Sequence, residues 1–360
     1  MEKTSFVSLT DKNTYTILGV MSGTSLDGIY LTAVQFNKNN EKEFKILQAK
    51  TYPYSNEWKK QLQDSSHLSA YDFLKLHKEY GRYIGTLILQ FLKSTDITID
   101  FIASHGHTIF HEPQHRFNFQ LGDGAFIAAT TGITTISDFR TLDVALGGQG
   151  APLVPIGDEL LFSEFDYCLN LGGIANISFK EKKKRIAYDI CPANMVFNFL
   201  AQQAGFEFDN KGTMASNGTI QSKLLDALNK LEYYQQPHPK SLGREWVEKT
   251  FLPLIFHTSF TVEDLLATTC EHAAIQIAKN IHSPGKILIT GGGAYNDHLI
   301  KRIQAHSVAQ VILPPPDIIE YKEALIFAFL GLLRIKHMAN SLSSVTGAPT
   351  DVCSGIIHWM

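Results

Sequence analysis

Hydrophobic positions open the chain in two β-type runs, Tyr15–Val20 and Ile29–Phe36, and a third follows near Phe44–Thr51. Directly after Tyr15–Leu18 and directly before Ile29 lies Gly19-Val-Met-Ser-Gly-Thr-Ser-Leu-Asp-Gly28, a turn dense in glycine, hydroxyls and one carboxylate. From Tyr71 to Lys93 the period changes to that of a helix, with apolar residues at Phe73, Leu76, Tyr80, Ile84, Leu87, Ile88 and Phe91. The run Ile99–Ser104 predicts a strand ending in His105-Gly-His107. Phe119–Gly122 and Ile133–Ser137 predict two more strands, separated by a short helix over Asp123–Thr131. Gly147-Gly-Gln-Gly-Ala-Pro-Leu-Val-Pro155 then clusters Gly and Pro where neither helix nor strand propagates. It divides the chain into expected lobes 1–150 and 151–360.

The opening pattern recurs after that break. Tyr167–Asn170 reads as a strand, Leu171-Gly-Gly-Ile-Ala-Asn176 as a glycine turn, and Ile177–Phe179 and Arg185–Tyr188 as strands. Each half begins with strand, glycine turn and strand, which points to two related lobes. Helical periods follow over Asn194–Ala204, Gln221–Leu231 and Val262–His282. A buried-type strand, Lys286–Thr290, runs into Gly291-Gly-Gly-Ala-Tyr-Asn296, and a last helix spans about Lys322–Met338. Strands mixed with helices throughout predict an α/β architecture.

Composition narrows the picture. At 360 residues the chain exceeds what one hydrophobic core usually serves, so two domains are expected. A net charge of −3 without a dense basic face argues against nucleic acid as a partner. The basic run Lys182–Arg185 reads as the solvated tip of a hairpin. The four cysteines are widely spaced and form no Cys-x-x-Cys, as in a protein of a reducing compartment. Met1–Thr14 is polar, without the apolar core of a signal peptide, and the apolar run Ala324–Leu333 is too short to span a bilayer. A cytoplasmic protein with no membrane partner is expected.

Several segments carry chemistry. In the opening turn, glycines admit a ligand to the backbone N–H groups, hydroxyls donate to phosphate oxygens and Asp27 suits a hydrated cation; a plain polar hairpin has the same composition. The turn is neither a P-loop nor a dinucleotide fingerprint, because no Gly-x-x-x-x-Gly-Lys-Ser/Thr occurs and a strand follows. Gly291, Gly292 and Gly293, set between a strand and a helix, are a second phosphate candidate or a tight turn. Asp189, read at a strand end, suits general-base work or a cap. Arg140 suits bidentate binding of a carboxylate or an ion pair with Asp138 or Asp143. His105 and His107, with His111 near them, have the spacing of a metal pair in barrel hydrolases, although His105 also suits a hydrogen-bonding pocket. Glu323, opening the last helix, suits Mg²⁺ through water or a helix dipole.

Taken together, these segments resemble the anhydro-N-acetylmuramic acid kinases, of the superfamily that includes actin, hexokinase and the heat-shock chaperone ATPases. The ordered matches are Gly19–Gly28, Ser104-His-Gly-His-Thr108, Gly122-Asp-Gly124, Asp138-Phe-Arg140, Gly147–Pro155 and Asn170–Asn176. They continue with Asp189 to Asn194, Pro239-Lys-Ser241, Gly243-Arg-Glu245, Gly291–Asn296, Glu323-Ala324 and Ser344-Val-Thr-Gly-Ala348. The resemblance implies a two-lobed actin/hexokinase-like fold with mixed sheets and an interlobe nucleotide cleft. It implies an ATP-dependent enzyme that opens the 1,6-anhydro bridge of a recycled cell-wall sugar with water and phosphorylates the freed 6-oxygen, as a homodimer.

Carried over by position, Asp189 is the expected catalytic base. Gly23, Thr24, Ser25, Leu26, Asp27, Gly28, Ile29 and Tyr30 match the ATP-binding stretch, and Gly291–Gly293 the second nucleotide loop. Asp27 and Glu323 are expected at Mg²⁺, through water. His105, Thr108, Arg140 and Asn194 are expected to bind the sugar. The chain departs from the family's usual pattern at Tyr30 (Asp), His107 (Gln), Leu142 (Arg) and Lys211 (Asp). It also reads Asp-Ile-Cys-Pro-Ala-Asn194 where Asp-Thr-Gly-Pro-Gly-Asn is usual, which predicts a reshaped pocket beside Asp189. Two other functions follow from the same residues: a non-catalytic nucleotide- or sugar-binding regulator, and a metal-dependent hydrolase built on His105 and His107.

Overall fold

The computed structural model describes residues 13–23, 26–40, 42–256 and 259–360. The chain divides into two compact units, Met1–Leu161 with Tyr321–Met360, and Phe162–Glu320. The first boundary therefore lies beyond residue 150, and the chain end belongs with the first unit. Pairing explains the return: Ile356–His358 adds antiparallel to Thr135–Ser137.

In the first unit, β1 (Thr14–Ser22), β2 (Gly28–Asn37) and β3 (Phe44–Pro53) form an antiparallel meander. β4 (Phe101–Glu112) lies parallel to β1, and β5 (Phe117–Leu121) folds back on its far end. β6 (Thr135–Ser137) lies parallel to β4. Leu18 and Val20 pack with Leu76, Tyr80, Ile84 and Ile88 of the helix Ala70–Lys93, the face its period predicts. Gly19 points to the other face. A Cβ there would lie 1.9 Å from Ala324 O, so glycine lets the helix Pro316–Ile335 come against the strand. That helix starts six residues before the expected Lys322, since Pro316 can occupy a first turn without losing an intrahelical bond. The same device begins the helix Pro155–Leu160, where the Gly/Pro cluster predicts no element.

In the second unit, β7 (Tyr167–Leu171), β8 (Ile174–Glu181) and β9 (Lys184–Pro192) form another meander. β10 (Lys286–Thr290) lies parallel to β7, and β11 (Gln310–Ile312) parallel to β10. The order β11-β10-β7-β8-β9 reproduces β6-β4-β1-β2-β3. The repetition seen faintly in sequence is thus a repetition of sheet topology. Lys182 and Lys183, with φ of 48° and 68°, form the two-residue hairpin tip expected of the basic run. The helix Val262–Lys279 is buried almost throughout and centres this unit's core. Among the described residues no helix is long and apolar enough to cross a membrane. The last strand, β12 (Ile356–His358), edges the first sheet.

Candidate active site

The opening turn connects β1 to β2. Leu26 takes a left-handed φ of 59° and donates its N–H to Gly23 O at 3.3 Å, which closes the bend. Asp27 is exposed, and its carboxylate has no partner among the described residues. Ile29 is buried, whereas Tyr30 sits edge-on to Tyr321 at 6.0 Å. Thr24 and Ser25 lie outside the described residues.

β4 does not end at Ser104. It continues through His105–Thr108, but its register against β1 jumps from Val20↔Ser104 to Ser22↔His107. This bulge sends the two histidines to different partners. His105 packs its ring 4.6 Å from Phe327, and its Nε2 accepts from Arg140 Nε at 3.1 Å and Nη2 at 2.9 Å. His107 Nδ1 lies 2.9 Å from Ser22 Oγ. The metal-pair expectation is therefore overturned, and the described residues hold no group of three His, Cys, Asp or Glu able to bind a metal. With it goes the metal-dependent hydrolase. Thr108 is half-buried and pairs opposite Gln120.

Arg140 forms no ion pair with Asp138 or Asp143. Its Nη1 donates to Gly150 O at 2.6 Å, so the fork spans His105 and the Gly-rich loop. Asp138 accepts from Thr141 N, and Asp143 is fully buried, accepting from Ser341, Thr346 and Gly150 N. Burial lowers Arg140 to about 10 against the opposing pull of Glu323 and Asp143. Burial, then the Arg140 charge, holds His105 well below the ordinary histidine range. It is a neutral imidazole. Glu323 remains open to solvent, yet surrounding protein pushes its carboxyl above the usual range while Arg140 and Lys322 draw it back. Next to it, Lys322 Nζ and Asp158 Oδ1 form a buried ion pair at 2.6 Å.

In the second unit Asp189 lies inside β9 rather than at its end. The segment His238–Leu242 runs alongside. Asp189 N donates to Lys240 O at 3.4 Å, and Leu242 N donates to Asp189 Oδ2 at 2.9 Å. Tyr233 OH donates to Asp189 O at 2.6 Å, and Lys240 Nζ to Tyr233 O at 3.2 Å. Oδ1 has no partner among the described residues. Burial raises the Asp189 carboxyl above its ordinary value, opposed by the Leu242 N–H. A partly desolvated carboxylate with one anchored and one free oxygen is an arrangement suited to taking a proton.

Gly291 takes φ of 82°, and a Cβ there would lie 2.5 Å from Asn170 Oδ1. Only glycine fits that close approach. A single 3₁₀ turn, Gly292–Tyr295, comes next, before the helix Asp297–His306 begins. The N–H groups of Gly292 and Gly293 open that turn and have no acceptor among the described residues. Asn194 holds the β7–β8 turn: its Nδ2 donates to Leu171 O at 3.0 Å and its N to Gly172 O at 3.2 Å.

At the departures beside Asp189 the side chains lie in the core. Ile190, Cys191 and Ala193 are buried in the unit's hydrophobic core, with Cys191 Sγ against Ala273 O. The added side chains fill core volume. Leu242 and Tyr233 as holders of Asp189 were not visible in the pattern, since one acts through its backbone N–H. The only signal was the matched Pro239-Lys-Ser241 and Gly243-Arg-Glu245.

A family model described as anhydro-N-acetylmuramic acid kinase matches residues 15–360. The anhydro-N-acetylmuramic acid kinase of Photobacterium profundum is 34% identical over 95% of this chain and 98% of its own length. That of Coxiella burnetii is 34% identical over 95% of this chain and 97% of its own. Among solved structures, component A of (R)-2-hydroxyglutaryl-CoA dehydratase from Acidaminococcus fermentans is 11% identical, with a TM-score of 0.45, covering 86% of this chain and 95% of that one. With a family model spanning nearly its whole length and relatives at one-third identity, the chain belongs to the anhydro-N-acetylmuramic acid kinase family.

Proposed function

We propose that this protein uses ATP to convert 1,6-anhydro-N-acetylmuramic acid into N-acetylmuramic acid 6-phosphate, a step of peptidoglycan recycling. Family membership supports the substrate pair. The observation that carries the chemistry is Asp189, anchored through Oδ2 by Leu242 N–H while Oδ1 has no partner among the described residues.

Asp189 takes a proton from a water whose oxygen attacks the anomeric carbon. The bond from that carbon to the bridging 6-oxygen breaks, and the released oxygen attacks the γ-phosphorus in line with departing ADP. The anomeric carbon keeps the water oxygen as its hydroxyl, and the proton leaves Asp189 to solvent. Burial suits Asp189 to this role by raising its proton affinity toward neutral pH.

Gly23–Tyr30 and Gly291–Gly293 are assigned to ATP, the second loop through the N–H groups of Gly292 and Gly293. His105, Thr108 and Arg140 are assigned to the sugar, with Arg140 as the donor to an anionic or carbonyl oxygen. Asn194 is assigned to the sugar as well, through its side-chain oxygen, since its Nδ2 is used on Leu171 O. Asp27 and Glu323, accessible hard-oxygen donors, suit Mg²⁺ through water. Bound there, the ion spreads charge developing on the phosphoryl oxygens. Family membership also supports a homodimer in the cytoplasm, where ATP is supplied.

The test is turnover with ATP, Mg²⁺ and the anhydro sugar in ¹⁸O-water. The expected product is a 6-phosphorylated sugar carrying solvent oxygen at the anomeric carbon. A phosphorylated product without that label overturns the hydrolytic step; ATP binding with no turnover on this sugar overturns the enzyme and favours the regulator.

A further inference from the structure

Ser22 ends β1 and directly precedes Gly23. Its buried Oγ lies 2.6 Å from Tyr54 OH, accepts from Tyr80 OH at 2.9 Å and lies 2.9 Å from His107 Nδ1. Tyr54 and Tyr80 also bond to each other through their hydroxyls. Tyr54 reaches the far side of the turn as well, its N–H donating to Asp27 O at 3.4 Å. The group thus grips the phosphate-loop candidate at its entry, Ser22, and at its exit, Asp27.

Protons can be counted. Four hydrogen bonds need four protons, but three hydroxyls supply only three. Tyr80 donates to Ser22, Ser22 to Tyr54 and Tyr54 to Tyr80, which closes a ring. The fourth bond is satisfied only when His107 carries its proton on Nδ1 and gives it to the second lone pair of Ser22 Oγ. With the other tautomer one buried contact has no proton, which leaves a buried polar group unmet.

We propose that His107 is a positioning residue for ATP: as the Nδ1–H tautomer it closes a four-residue hydrogen-bond network with Ser22, Tyr54 and Tyr80 that holds the first phosphate loop. A glutamine amide supplies the same pair of functions, an N–H donor to Ser22 and an acceptor elsewhere, without carrying charge. The network rests on the reading of Gly23–Gly28 as an ATP loop, but the tautomer does not.

The test has two arms. Long-range ¹H–¹⁵N correlation spectra of the ¹⁵N-labelled full chain, with His107 identified by its loss in His107→Gln, should show Nδ1 protonated and Nε2 bare. An Nε2–H tautomer overturns the proposal. In the second arm, ATP affinity with Mg²⁺ is measured for single and double variants. Tyr80→Phe and His107→Leu should each weaken ATP about tenfold, the upper range for one net hydrogen bond. The double variant should weaken it no further, because both act on one network. His107→Gln should restore affinity to within about threefold of wild type. Unchanged affinity in both single variants overturns the positioning role. Absence of ATP binding to the wild-type protein overturns the nucleotide reading, while the tautomer assignment is read independently.

Discussion

Leu242 donates its backbone N–H to Asp189 Oδ2 at 2.9 Å, joining a loop fifty-three residues away to the carboxylate on β9. This bond favours the ionised carboxylate, while burial favours the protonated one and wins, so the carboxyl sits above its usual value.

Two outcomes follow for Asp189→Asn. Turnover should disappear while ATP binding persists, which product analysis and calorimetry check separately. Stability should not fall at pH 7. A carboxyl raised in the folded state contributes stability below its unfolded value and loses it as pH rises through its folded value. Removing the charge therefore leaves the melting temperature at pH 7 equal to or above wild type. In wild type, the acid limb of kcat should lie above the ordinary carboxylate range, because only ionised Asp189 accepts a proton.

Gly19→Ala should cost about 3 kcal/mol, the upper range for overpacking, because the new methyl meets the Ala324 carbonyl rather than a movable side chain. Urea unfolding measures it. Glu323 adjoins Ala324, so the displaced helix should also raise the Mg²⁺ concentration needed for half-maximal rate. A stable variant with unchanged Mg²⁺ dependence would contradict the assignment of Glu323.

Three buried histidines predict acid sensitivity. Desolvation lowers His107 to about 4 and His272 to about 3, and His105 lies well below its usual range through burial and Arg140. Groups depressed in the folded state lose stability as pH falls below the unfolded value, here about 6.5. By pH 5 each contributes a loss of up to about 2 kcal/mol. The urea midpoint should drop between pH 7 and 5, and less so in His272→Gln.

Cys191→Gly removes the buried thiol. It should leave kcat and KM for the sugar within about threefold, since the thiol packs into the core, and should cost about 1–2 kcal/mol from lost burial and added chain freedom. A changed choice of sugar would show that Cys191 shapes the pocket after all. Burial also raises its thiol, so alkylating reagents should leave it intact in the native protein.

Much of the fold was legible in local patterns. The helix Ala70–Lys93 and the strand Lys286–Thr290 lie where periodicity places them, because each buries an apolar face or both. The Lys182–Lys183 tip followed from charge between two strand periods. Asp189, the two glycine loops and Arg140 stand out as candidates because their residue types suit the proposed chemistry. His105 and His107 misled, since spacing of two implies a shared side and a bulge separated them.

By itself, then, the sequence determined which segments become strands and helices, where chemistry-bearing residues sit in order, and that the strand–turn–strand theme occurs twice. Those properties depend on neighbours within a few positions. Only the tertiary structure decided that Leu242 anchors Asp189, that Arg140 spans His105 and Gly150, and that Cys191 faces core. It also decided that the chain's end returns to the first unit. Each of these is a contact between distant segments, made largely by backbone groups every residue carries. Nothing in side-chain identity announces such contacts until the chain has folded.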